Sequence, residues 1–90
     1  MYLHLGQNTV VRHAELVGIF DLDTATVMKS TRDFLRQAQS RGEVTAVGED
    51  LPKSFVLVTR QGRPHIYLAA PGSATLEARC KKQEAIKYDS

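Results

Sequence analysis

Tryptophan is absent from this chain, cysteine occurs once, and there are only three phenylalanines and three tyrosines. Aliphatic side chains must therefore carry the core. A single cysteine, Cys80, excludes an intrachain disulfide, which fits a reducing compartment. No apolar run approaches the ~20 residues of a membrane-spanning helix. The opening Met1–Gly6 lacks the basic and apolar regions of a secretory signal, so a cytoplasmic location with no membrane partner is expected. No glycine-rich phosphate loop is present, and no nucleophile motif or acid/base pair falls in one neighbourhood. His4, His13 and His65 have no zinc-ligand spacing with Cys80. These absences point away from an enzyme, a cofactor or a metal, and towards a small module that works through its surface.

What is present is enough for one domain. Ninety residues, 42% of them hydrophobic, bury roughly 60–65% of the unfolded surface, which makes a modest core and favours self-association. Tyr2–Leu5 and Thr9–Arg12 are β-prone runs split by the turn formers Gly6-Gln7-Asn8, a hairpin whose inner face takes Leu3, Leu5 and Val10. The segment Glu15–Asp21 contains Val17-Gly18-Ile19-Phe20-Asp21, apolar on both faces, which predicts a buried central strand. The period then changes. Val27, Thr31, Phe34, Leu35 and Ala38 recur at three- and four-residue steps, one stripe of an amphipathic helix. Asp23 or Thr24 can cap an initial turn, or Ser30 the main helix, and Arg41-Gly42 suits its end.

Val44–Val47 reads as a short extended piece, and Gly48-Glu49-Asp50-Leu51-Pro52 as a polar loop. Ser54–Arg60 and Pro64–Ala69 flank Gln61-Gly62-Arg63, a second hairpin. The first of these strands is apolar on both sides and is expected to be interior. Pro71-Gly72-Ser73 closes the sheet, and a weakly apolar helix with Leu76, Cys80 and Gln83 on one face follows. The expectation is an α+β fold: a small, mainly antiparallel sheet of about five strands, one packed amphipathic helix and a C-terminal helix. Residues 1–76 form the domain, and residues 77–90 form a polar helix or a partly disordered tail.

Function must come from where the charges sit, because the net charge is only +2. Lys29, Arg32 and Arg36 fall on one helix face, opposite Phe34 and Leu35, and such a row can follow the phosphates of a nucleic acid. The competing reading is a solvated face with Asp33 paired to Lys29. Lys53, Arg60 and Arg63 form a second basic set around the hairpin, which can hold phosphates or simply guard a sheet edge. The tail adds Arg79, Lys81, Lys82 and Lys87, largely offset by Glu77, Glu84 and Asp89. Asp21 and Asp23 have a spacing that can hold a divalent cation, but nothing nearby completes a shell and a cap role for Asp23 is simpler. A Cys80–His65 nucleophile pair would need an orienting third group and a pocket.

Met1-Tyr2-Leu3-His4-Leu5-Gly6, Val17-Gly18-Ile19-Phe20-Asp21, Pro52-Lys53-Ser54-Phe55-Val56 and Ser73-Ala74-Thr75-Leu76, with the closing Tyr88-Asp89-Ser90, resemble in order the extracellular matrix regulatory protein B (RemB) family. The resemblance covers nearly the whole chain. It implies a bacterial cytoplasmic protein linked to control of biofilm-matrix genes, and kinship with RemA-type DNA-binding activators, which form rings and are thought to wrap DNA outside. Those activators carry adjacent arginines just before the strand matching Ser54–Arg60. Here that place reads Glu49-Asp50-Leu51-Pro52-Lys53, so the DNA contact is not carried over at Asp50 or Leu51. The expected function is an oligomeric, weakly sequence-specific DNA-binding regulator, with Lys29, Arg32, Arg36, Lys53, Arg60 and Arg63 as contacts. The alternative is an interaction module that binds no DNA and co-assembles with a RemA-type regulator.

Overall fold

The fold is seen in a computed structural model, in which residues 2–89 are described, with side chains for 2–81. Strand β1 (Tyr2–Gly6) turns back into β2 (Thr9–Arg12) as an antiparallel pair. Gln7 and Asn8 carry φ of 48° and 63°, the left-handed pair of a tight two-residue turn. The register sets Leu3 opposite Val11, so Leu3, Leu5 and Val11 are buried while Val10 is exposed. The expectation of Val10 on the inner face is thus corrected by one residue. The pairing shifts between His4 and Gly6, and side chains alternate faces at each step along a strand.

A turn of 3-10 helix at His13–Glu15 leads into β3 (Leu16–Asp21). Then come α1 (Leu22–Ala25), α2 (Lys29–Ser40), β4 (Val44–Ala46), β5 (Ser54–Arg60), β6 (Arg63–Ala69) and α3 (Ser73–Asp89). The second sheet has the order β3-β5-β6-β4, antiparallel except for the parallel pair β4–β6. The architecture is therefore α+β with two sheets, one antiparallel and one mixed. The parallel pair follows from connection: α1 and α2 carry the chain from one edge of the sheet to the other, a crossover that leaves β3 and β4 running the same way.

The sheet is covered on both faces. Val56, Val58, Tyr67 and Ala69 point one way, joined by Leu3, Leu5, Val11, Val47 and Leu76. Phe55 and Ile66 point the other way and pack with Ala38, Leu22, Ala25, Leu35 and Leu68 from the helical side. The apolar alternation of β5 on both faces thus matches its interior position. Ser54, fully buried at the start of β5, donates to the carbonyl of Pro71 at 2.7 Å, tying the strand to the turn before α3.

Strand β3 overturns an expectation. It is an edge strand, paired to β5 alone, and Val17 is 56% exposed. Its pairing jumps from Leu16↔Val58 to Gly18↔Leu57, leaving Val17 as the extra residue of a bulge. The bulge lets Leu16 and Ile19 both pack on the Val56/Val58 core. Apolarity on both faces here reflects packing of β3 from one side and an uncovered surface on the other. Phe20 stacks on Phe55 with centroids 4.9 Å apart. Its ring also lies over Gly18, where a Cβ would sit 2.7 Å from Phe20 Cε2, so the glycine makes room for the stack.

The helix caps differ from expectation too. Asp21 caps α1, its Oδ1 accepting from the amides of Asp23 (2.9 Å) and Thr24 (3.1 Å). Met28 stands at the N-cap of α2, and no side chain caps it. The α2 stripe is narrower than its sequence pattern. Ala38 is buried and Leu35 half-buried, but Val27 precedes the helix and is exposed, and Phe34 is 40% exposed. On α3, Leu76 is buried and Cys80 packs at the edge of the same core. The expected place of Gln83, and the side chains of Lys82, Lys87 and the closing Tyr88-Asp89-Ser90, lie outside the described residues.

Candidate nucleic-acid interface

The crossover that sets α2 on the sheet also turns Lys29, Arg32 and Arg36 away from it. Leu35 and Ala38 face inward, and the basic residues lie on the opposite side of the helix, all exposed. They are not equally available. Arg32 Nη1 donates to the carbonyls of Thr26 (2.7 Å) and Val27 (3.0 Å), so its guanidinium closes the turn that joins α1 to α2. Arg36 meets Asp33 at 3.4 Å with its side chain 77% exposed. An exposed pair of this kind contributes little and is readily exchanged for a phosphate. Asp33 thus pairs with Arg36, one turn on, where the sequence reading had offered Lys29.

Lys53, Arg60 and Arg63 do not join that row. Lys53 is exposed, and its backbone is fixed between two elements: its amide donates to Ala69 and its carbonyl accepts from Leu22. The seven residues of β5 separate it from the hairpin tip, a span of roughly 20 Å. At that tip Arg60 lies opposite Arg63 across the Gln61-Gly62 turn. Arg60 reaches Glu15 at 3.6 Å and sits 5.4 Å from the Tyr67 ring centroid, so it is held by an acid and an aromatic face. Arg63 projects into solvent. The six residues therefore form three groups: the outer face of α2, the hairpin tip and the far end of β5.

Beside the tip, His65 accepts or donates one hydrogen bond with Thr45 Oγ1 at 2.8 Å and leans on Tyr67. Burial holds its pKa below the ordinary value, the Arg60 charge lowers it further, and the Glu43 carboxylate partly opposes both. Asp21 is also held below the usual carboxylate value, chiefly by the Thr24 amide that it caps. The cap role expected of Asp23 thus falls to Asp21, and Asp23 supplies one of the amides that it accepts from. Among the described residues no three His, Cys, Asp or Glu side chains stand together as a metal site. The histidine beside Cys80 is not the His65 of the nucleophile pair considered above but His13, whose Nε2 lies 3.8 Å from Cys80 Sγ.

Two further surface features stand out, one of them unread in the sequence. An apolar groove of about 210 Å³ opens between β3 and the start of α2, walled by Phe20, Phe34, Phe55 and Leu57, with Ser30 and Thr31 at its helical side. The loop before β5 exposes Glu49 and Asp50, and Leu51 there is 87% exposed. The loop's acidity was legible. The groove was not, because it depends on β3 lying at an edge.

No protein-family model matches the chain. Among curated proteins it is similar to the extracellular matrix regulatory protein B of Bacillus subtilis (strain 168), with 32% identity over 81 residues, which covers 90% of this chain and 91% of that protein. No helix among the described residues is long and apolar enough to cross a membrane.

Proposed function

From the premise that the chain belongs to the extracellular matrix regulatory protein B family, we propose that it regulates extracellular-matrix (biofilm) genes in the cytoplasm as an oligomeric, weakly sequence-specific DNA-binding protein. The observation that carries the DNA reading is the outward row on α2. Lys29 and Arg36 lie in line on the side facing away from the sheet, and Arg36 is restrained only by an exposed pair with Asp33. Arg63 and Lys53 add exposed cations at the two ends of β5. Arg32 and Arg60 contribute charge more than reach, because carbonyls and Glu15 already hold them.

One subunit meets few phosphates, so repetition supplies affinity. Each phosphate neutralised by an assembly steepens the fall of log affinity with log salt by about 0.9 on duplex DNA. Gel shifts with unrelated duplexes should show similar retardation at low salt and steep loss as salt rises. Replacing Lys29 and Arg36 by alanine should weaken binding to every sequence alike and flatten that slope. No retardation at low salt, or an affinity indifferent to salt, removes the reading.

A second reading draws on the acidic loop. Exposed Glu49 and Asp50 stand where a phosphate-binding arginine pair would serve DNA, and they repel a polyanion. In this reading the chain binds no DNA and co-assembles with a RemA-type regulator. Size-exclusion chromatography of the two purified proteins, alone and mixed, separates the two: an earlier shared peak favours it, and unchanged elution of both rejects it.

A further inference from the structure

We infer that the groove between β3 and α2 receives the Glu49-Asp50-Leu51 loop of a second copy of this chain. The groove is apolar and open. Phe20 and Phe34 on its walls remain about two-fifths exposed, and Val27 and Met28, on the turn entering α2, are more exposed still. A contiguous apolar surface rimmed by polar residues marks a contact site.

The occupant is argued from three features of the chain itself. Leu51 is an aliphatic knob with almost nothing covering it. Its loop is pinned at both ends, by the Val47 amide on Leu68 at 2.8 Å and the Lys53 amide on Ala69 at 2.9 Å. Pro52 holds Leu51 away from helical conformations. A pinned loop loses little freedom on docking. The charges also match. The first turn of α2, whose Ser30 and Thr31 line the groove, contains no acidic residue, has no side-chain cap and carries Lys29. Carboxylates beside an inserted leucine, as Glu49 and Asp50 are, complement such a helix end.

Knob and groove are different surfaces of the same chain, so the contact is head-to-tail. It propagates from copy to copy and closes into a ring where the rotation permits. The inference rests on the self-association in the reading above, and it does not require DNA.

The test is light scattering coupled to size-exclusion chromatography on the full chain, without DNA. The wild type should associate as its concentration rises. Leu51→Ser and Ser30→Glu, the latter setting a like charge against Glu49 and Asp50, alter exposed side chains, so circular dichroism should show both folded. Each should weaken association about tenfold or more, as expected for losing one buried leucine. Mixing the two variants should restore a heterodimer, because each keeps the half that the other lacks. A wild type monomeric at its highest soluble concentration overturns the inference and gives the groove to a different partner. Wild-type-like association of Leu51→Ser overturns it as well, since another segment then covers the groove, and so does failure of the mixture to pair. DNA retardation with assembly untouched by Leu51→Ser retains the DNA reading and removes this contact. Assembly through Leu51 without retardation does the reverse.

Discussion

Gln61 sits in a conformation that its side chain disfavours. Its φ is 53°, beside Gly62 at 78°, in the turn type where asparagine followed by glycine is preferred. Gln61→Asn should keep the turn and stabilise the protein by about 0.5 kcal/mol, seen as a rise of roughly 2–4 °C in the thermal midpoint. His65 gives a pH dependence of known sign. Its folded pKa lies below the ordinary 6.5, so the unfolded chain binds the proton more readily. The contribution of His65 to stability is full above pH 6.5 and declines as pH falls from there towards the folded value. Thermal midpoints across that window should fall on acidification, and His65→Gln should flatten the trend. At this scale the sequence showed which side chains carry charge, but not what holds them. Arg32 binds Thr26 and Val27 through a bend between two helices, and helical periodicity does not encode that bend.

Elements were legible where the signal was local. Both hairpins could be read from their turn residues, and the interior place of β5 from its two apolar faces. Strand β3 carried the same two-faced pattern and yet lies at an edge, because periodicity records apolarity and not the number of neighbouring strands. The parallel pairing of β4 had no local mark either, since Val44–Ala46 is three residues long and its direction comes from the crossover. The groove depends on that edge placement. Helix α3 offers a test at this level. Leu76 is its fully buried anchor, and Cys80 is packed only at the core's margin. Leu76→Ala should cost about 2–4 kcal/mol. Amide exchange should accelerate in α3 and in β1, which it covers, more than in β5 and β6.

For the whole molecule, two kinds of contact should respond differently to salt. Binding to a polyanion releases counterions and weakens steeply as salt rises. A contact made by a leucine in an aromatic groove depends mainly on apolar burial, which screening leaves largely intact. Across a salt titration the retarded DNA band should disappear while the assembled mass measured by light scattering persists. Loss of both at the same salt would show that the copies are held together by charge, or by the DNA itself.

The strand order has a consequence for how the chain is made. β5 and β6 form the middle of the sheet, yet they occupy residues 54–69. On the ribosome, everything before Ser54 emerges without the scaffold it must join. Leu16, Ile19 and the sides of Phe20 and Phe34 that meet Phe55 wait uncovered until the late hairpin arrives, and both edge strands then add to it from distant points in the chain. Long-range pairing of this kind is slow. Nascent copies on one message, each displaying the same bare phenylalanines, are therefore most prone to stick to one another just before the second hairpin appears.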